Sequence, residues 1–247
     1  MPALTRAAIA AFDLLARWRA ARAFHPSGAL FAGRVELEGN SPTVTALGGP
    51  AVHPALVRVS KGAGTPGRLP DLLGVAIRLT DLPEGPVDLL YTTVGRHRVT
   101  GALLAPTTGW CARPYSTLLP YRADGVRVTL GLRPRQPDRA RGTAPQDARS
   151  AVRGGPLVFT LAEKRARTPW APIGRLVVDL PMPDGAADDG PGGAEPVTFD
   201  PVVDAHPRLR PVRFLAHVRE AAYTGSRRGR GVAEPARSAA SASVARR

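Results

Sequence analysis

Seven runs of β-branched and aliphatic residues recur along the chain, and no long helical period separates one from the next. They read LFAGRVELE from 30, ALVRVS from 55, GVAIRLT from 74, VDLLYTT from 87, VRVTLGL from 126, PLVFTLAE from 156 and GRLVVDL from 174. Turn-forming residues stand between them, as in LPEGP at 82 and ADG at 123. Parallel strands would need crossover helices, so short strands spaced this way predict a mainly β (α+β) chain, an antiparallel barrel or sandwich. At 247 residues and 43% hydrophobic composition the chain can bury one sizeable core, and a single domain over 1–231 is expected. Ahead of the strands, Ile9, Phe12, Leu15 and Trp18 fall at helical spacing and predict an amphipathic N-terminal helix. Three stretches read as irregular: 133–155, 184–193 and an Ala/Ser/Arg tail over 232–247.

The formal net charge is +14, yet only two of the 34 basic residues are lysines, Lys61 and Lys164. Arginine is spread along the whole chain rather than gathered in one patch, which weakens a nucleic-acid-binding reading. Cys111 is the single cysteine, so no intramolecular disulfide forms, in keeping with a reducing compartment. Asp13 and several arginines interrupt the N-terminal apolar segment, which argues against a membrane span or signal peptide and for a cytoplasmic protein.

Few residues are grouped for chemistry. The five histidines show no metal-ligand spacing, and Asp13, Asp71, Asp88, Asp179 and Asp200 stand singly. KGAGTPG at 61 lacks the terminal Gly-Lys-Ser/Thr of a phosphate loop. Cys111, in GWCARP, has the residue type of a thiolate ligand, but a lone cysteine is more often a small buried hydrophobe. Tyr223 is different: it is one of four tyrosines and sits among arginines in VREAAYTGSRRGRG, where neighbouring charge lowers a phenol's pKa and favours the phenolate, a metal ligand.

Read together, RAFHPSG from 22, VRVSKGAG from 57, DLLGVAIR from 71, PIGRLVVDLP from 172 and the tyrosine run resemble the heme catalases and the small catalase-related peroxidases. The matches fall on Arg22, His25 and Gly28, then Arg58 and Ser60, then Arg219, Tyr223, Arg228 and Arg230, over most of residues 20–231. The resemblance implies an eight-stranded antiparallel barrel with flanking helices, binding heme b. It implies Tyr223 as the iron ligand held deprotonated by Arg219, and Arg22, Arg58 and Arg230 as partners of the heme propionates. His25 would be the distal acid and base, and Ser60 would orient its ring. One departure concerns the distal asparagine of catalases, whose place in VDLLYTT is taken by Thr92 or Thr93. A hydroxyl still bonds peroxide, but the aromatic-rich cover that follows in catalases is not recognisable, which favours peroxidase turnover over full catalase turnover.

The expected partners are therefore peroxide and an organic reductant or hydroperoxide, with no membrane and with homo-oligomer formation left open. Two other classes stand beside this reading. One is a heme-free barrel working in ligand binding or hydrolysis, as some relatives labelled phosphodiesterases suggest, and the other is an arginine-rich nucleic-acid module.

Overall fold

The computed structural model describes residues 28–96, 103–117, 119–183, 197, 199–201 and 203–212. Ten strands appear: β1 (Gly28–Leu37), β2 (Val52–Lys61), β3 (Leu73–Leu79), β4 (Val87–Thr93), β5 (Tyr115–Ser116), β6 (Tyr121–Ala123), β7 (Val126–Pro134), β8 (Leu157–Arg165), β9 (Ala171–Pro181) and β10 (Leu209–Pro211). All pairings are antiparallel, in the order β10-β6-β7-β5-β4-β3-β2-β1-β9-β8. A β7–β8 pairing closes the ring. Because β5 and β6 lie consecutively along β7, they act as one interrupted strand, and the ring is an eight-stranded antiparallel barrel.

Alternation along each strand divides the wall into two faces. Val57 and Val59, Val75 and Ile77, Leu89 and Tyr91, Leu130 and Leu132, Phe159 and Leu161 fill the interior. The seven strands expected from sequence are all present; β4 has the expected bounds and the other six are extended or trimmed by a few residues at their ends. At the tight turn between β6 and β7, Asp124 and Gly125 both take positive φ (47° and 84°), as a two-residue hairpin of this kind requires.

The stretch 133–155, expected to be irregular, contains helix α2 (Pro145–Arg153). It starts with Pro145 inside its first turn, and Asp147 accepts the backbone N–H of Ala144 at 3.0 Å. Its Ala148 and Val152 close the upper barrel end, where β1 begins and β2 ends, lining a small apolar cavity with Phe31, Trp110, Tyr115 and Phe159. Arginines disguise this helix in the sequence. Arg149 is buried and donates to the carbonyls of Met182 and Pro183, while Arg139 binds carbonyls at the helix end (Ala151 O at 2.6 Å). A short helix, α1 (Pro42–Ala46), seals the lower end, fixed by buried Glu163, which accepts Thr43 N–H at 2.9 Å and Thr43 Oγ1–H at 2.6 Å. No helix among the described residues is long and apolar enough to cross a membrane.

Candidate functional site

Strand register lays one row of small residues across the outer wall near the upper end. Gly28 on β1 faces Ser60 on β2, Ser60 faces Gly74 on β3, Gly74 faces Thr92 on β4, and Thr92 faces Ser116 on β5. Ser60 and Thr92 are thus two strand spacings apart, about 10 Å, on the same face. Both are buried, as is Ser116. Thr93 points the other way: it lies fully buried, and its Oγ1 accepts the N–H of Leu73 at 3.2 Å. Of the two threonines open to the distal role, Thr92 is the one that shares a wall with Ser60.

Two residues further down each strand, on this same face, runs a second row, Leu30–Arg58–Ala76–Leu90. Arg58 reaches back over the start of β1, where a Cβ on Gly28 would stand 2.8 Å from its Nη2 and 2.9 Å from its Cζ. Gly28 is therefore the seat on which the Arg58 guanidinium lies, a close approach that any side chain there would block. Leu30 and Ala76 join Phe199 in an apolar cluster outside the barrel, flanked by half-buried Leu56, Leu90, Met182 and Val197. The result is a wall of hydroxyls and glycines, an arginine lying across its end, and an apolar ledge beneath.

The ledge is held by a cluster of charges that single-residue inspection of the sequence missed. Arg78 donates to Asp88 through Nε at 2.8 Å and Nη2 at 2.7 Å, and to Asp204 at 2.6 Å. The Asp200 N–H donates to Asp88 at 2.6 Å, and the Arg78 guanidinium stacks 5.1 Å from the Phe199 ring centre. Burial lifts the Asp88 carboxyl above the usual carboxylate range, outweighing the opposing pull of Arg78, while Asp88 raises the pKa of Arg78. Below this clasp, β10 pairs with β6, and buried His206 bonds Glu84 at 3.1 Å through Nε2. The clue in the sequence was parity: Arg78 and Asp88 are directly opposed on β3 and β4, both facing outward.

The loop after Ser60 is equally well knit. The Lys61 ammonium, nearly buried, donates to the carbonyls of Thr65 (2.6 Å) and Gly67 (2.8 Å) and to Thr143 Oγ1 (3.1 Å). Asp71 takes the N–H groups of Ala63 and Thr65 at 2.7 and 2.8 Å. Those amides cap a carboxylate of the protein itself, so KGAGTPG is a structural loop that fixes the end of β2. Cys111 is buried in the core, its thiol pushed up to about 12 by desolvation, and is held neutral at physiological pH.

Arg22, His25, Arg219, Tyr223 and Arg230 lie outside the described residues, so only Arg58, Ser60 and Thr92 of the expected site can be placed. Among the described residues, no three His, Cys, Asp or Glu side chains gather as a metal site.

No protein family and no curated protein matches the chain. Solved structures do. A fungal catalase superposes with a TM-score of 0.59 at 14% identity over 83% of this chain and 58% of the catalase. Catalase A from Saccharomyces cerevisiae gives a TM-score of 0.59 at 13% identity, over 83% of this chain and 60% of the other. The chain has the catalase fold, and it spans about three fifths of the length of the catalases it matches.

Proposed function

We propose that the protein is a heme-dependent hydroperoxidase of catalase type, reducing hydrogen peroxide or organic hydroperoxides. The observation that carries this reading is the shared outward face of Ser60 and Thr92, beside the Gly28 seat of Arg58, on a barrel wall of catalase fold. The wall suits the cofactor in composition: its side chains are small, Leu90 and Ala76 offer apolar contact, and a guanidinium is the usual partner of a propionate. Tyr223 would ligate the iron with Arg219 keeping its phenol ionised, and Arg22, Arg58 and Arg230 would pair with the propionates. Bound heme would supply the redox-active iron at which peroxide is reduced.

The chain's own residues do the rest. His25 would take a proton from one oxygen of the peroxide and return it to the other as water or alcohol leaves. Ser60 would bond the far nitrogen of that imidazole and set its tautomer. Thr92 offers its hydroxyl to the peroxide. It lacks the paired donor and acceptor of an asparagine amide, which disfavours holding a second peroxide and favours an organic reductant as the source of the two electrons.

The decisive experiment is the absorption spectrum of protein expressed with a heme precursor. A Soret band that Tyr223→Phe abolishes or shifts is expected. His25→Ala should keep the band and react with peroxide about two to four orders of magnitude more slowly. Protein that takes up no heme would instead put a ligand-binding or hydrolytic barrel in place of this reading.

A further inference from the structure

The small-residue row does not end at Ser116. It continues to Gly131 on β7 and Ala162 on β8, and there Trp170, from the turn between β8 and β9, folds back over it. A Cβ on Gly131 would stand 2.9 Å from the indole Cζ3 and 3.0 Å from Cη2, so glycine is what lets the ring lie against the strand. The indole is nevertheless 42% exposed. Strand alternation puts Arg133, two residues along β7, on the same outer face. In the other direction, Lys164 faces Thr129 across the β7–β8 pair on that face. Arg133 is exposed and Lys164 half-exposed, and neither side chain has a hydrogen bond or ion pair among the described residues. Arg165 and Arg167 add two more exposed cations at the same turn. A single exposed indole is ordinary on a protein surface. An indole seated on a glycine, with a bare cation about 7 Å along the strand from that glycine's row in each direction, is a ready-made platform.

We infer that this platform docks a planar aromatic anion, an aryl carboxylate or sulfonate that also bears an oxidisable phenol or amine group, and that such a molecule is the electron donor of the proposed peroxidase. The ring stacks on Trp170 while Arg133 or Lys164 pairs with the anionic group; the surrounding positive charge repels cationic aromatics. The donor role rests on the hydroperoxidase reading. Two donors each release one electron and one proton, and ROOH takes up both electrons and both protons to give ROH and water. Gly131 is two strand spacings from Thr92, about 10 Å along the wall, so the donor delivers its electron without entering the peroxide pocket.

The docking claim is tested without heme. Anthraquinone-2-sulfonate, titrated into the full chain, should quench tryptophan emission saturably, and Trp170→Phe should remove that saturable component although Trp18 and Trp110 remain. Gly131→Ala, which keeps the indole but displaces it, should weaken binding. Arg133→Gln with Lys164→Gln should raise the dissociation constant about tenfold, the worth of two exposed charge contacts. An unchanged isotherm in Trp170→Phe, or equal affinity for uncharged anthraquinone, overturns the platform. On heme-loaded enzyme, Trp170→Phe should raise KM for a sulfonated dye and leave KM for neutral guaiacol alone; equal shifts for both overturn the donor role. Absence of a Soret band would sink the peroxidase reading and leave the quenching isotherm to judge the platform.

Discussion

Replacing Asp88 by alanine removes the centre of the clasp that holds the ledge to the barrel. Its side chain is fully buried and accepts three bonds, two from Arg78 at 2.8 and 2.7 Å and one from the Asp200 N–H at 2.6 Å. Stranding a buried charge by deleting its partner costs roughly 3–5 kcal/mol. Here Arg78 keeps Asp204 at 2.6 Å and is 20% exposed, which puts the expected loss at the lower end, about 3 kcal/mol. For a chain of this size that lowers Tm by roughly 6–12 °C. Calorimetry reads the midpoint, and native-state hydrogen exchange should show the Asp200 amide losing protection ahead of the barrel strands. Asparagine at 88 separates charge from shape. The native Asp88 carboxyl titrates above its ordinary value of 3.8, so the folded state binds this proton more readily than the unfolded chain does. By linkage, parent stability falls as pH rises from about 4 through the folded pKa. Asparagine does not titrate, so the gap between parent and Asp88→Asn should narrow between pH 4 and pH 7. A Tm drop below about 2 °C in Asp88→Ala with the Asp200 amide still protected, or a gap that widens with pH, would refute the reasoning.

Three further outcomes follow from the wall and the core. Thr92→Asn should raise oxygen evolution relative to dye peroxidation in heme-loaded protein, measured with an oxygen electrode, whereas Thr93→Asn should only destabilise, since Thr93 is buried inside and bonds the Leu73 N–H; a gain from position 93 would reverse the facing assigned to β4. Gly28→Ala should push Arg58 off its seat and speed heme loss to apomyoglobin, with no such effect from alanine at exposed Gly39 as control. Cys111, with its thiol at about 12, should react with dithionitrobenzoate only at the rate of unfolding; rapid labelling of native protein would show an open core.

The barrel was legible because the apolar alternation of its strands has period two and survives the abundance of arginine. Val57 and Val59 or Val75 and Ile77 mark an inner face whatever stands between them. Helix α2 was hidden because its inward face carries Arg149, whose charge reads as solvent-facing until the Met182 and Pro183 carbonyls that receive it are in view. Strands β5, β6 and β10 are two or three residues long and carry too little pattern to be seen. For the site, the catalase resemblance suggested Ser60 and put Thr92 or Thr93 at the place of the asparagine, and register shows that of the two only Thr92 shares the face of Ser60. The Asp200 arm of the clasp was invisible for the same reason: Asp88 and Asp200 lie 112 residues apart and become neighbours only when the chain returns across the outer wall.

The way the ring closes also sets the order in which the protein can assemble. β1 finds one neighbour at once in the β2 hairpin, but its other edge waits for β9, which begins at residue 171. Helix α1 likewise waits for Glu163 on β8, 120 residues downstream. During synthesis the ribosome therefore extrudes most of the chain while an open sheet edge and an apolar inner face stand unprotected. Long-range closure of this kind is slow relative to local hairpins, and exposed edges invite pairing between nascent copies. Yield in a recombinant host should accordingly depend on growth temperature and chaperone supply, and chains truncated before β9 should accumulate as aggregates.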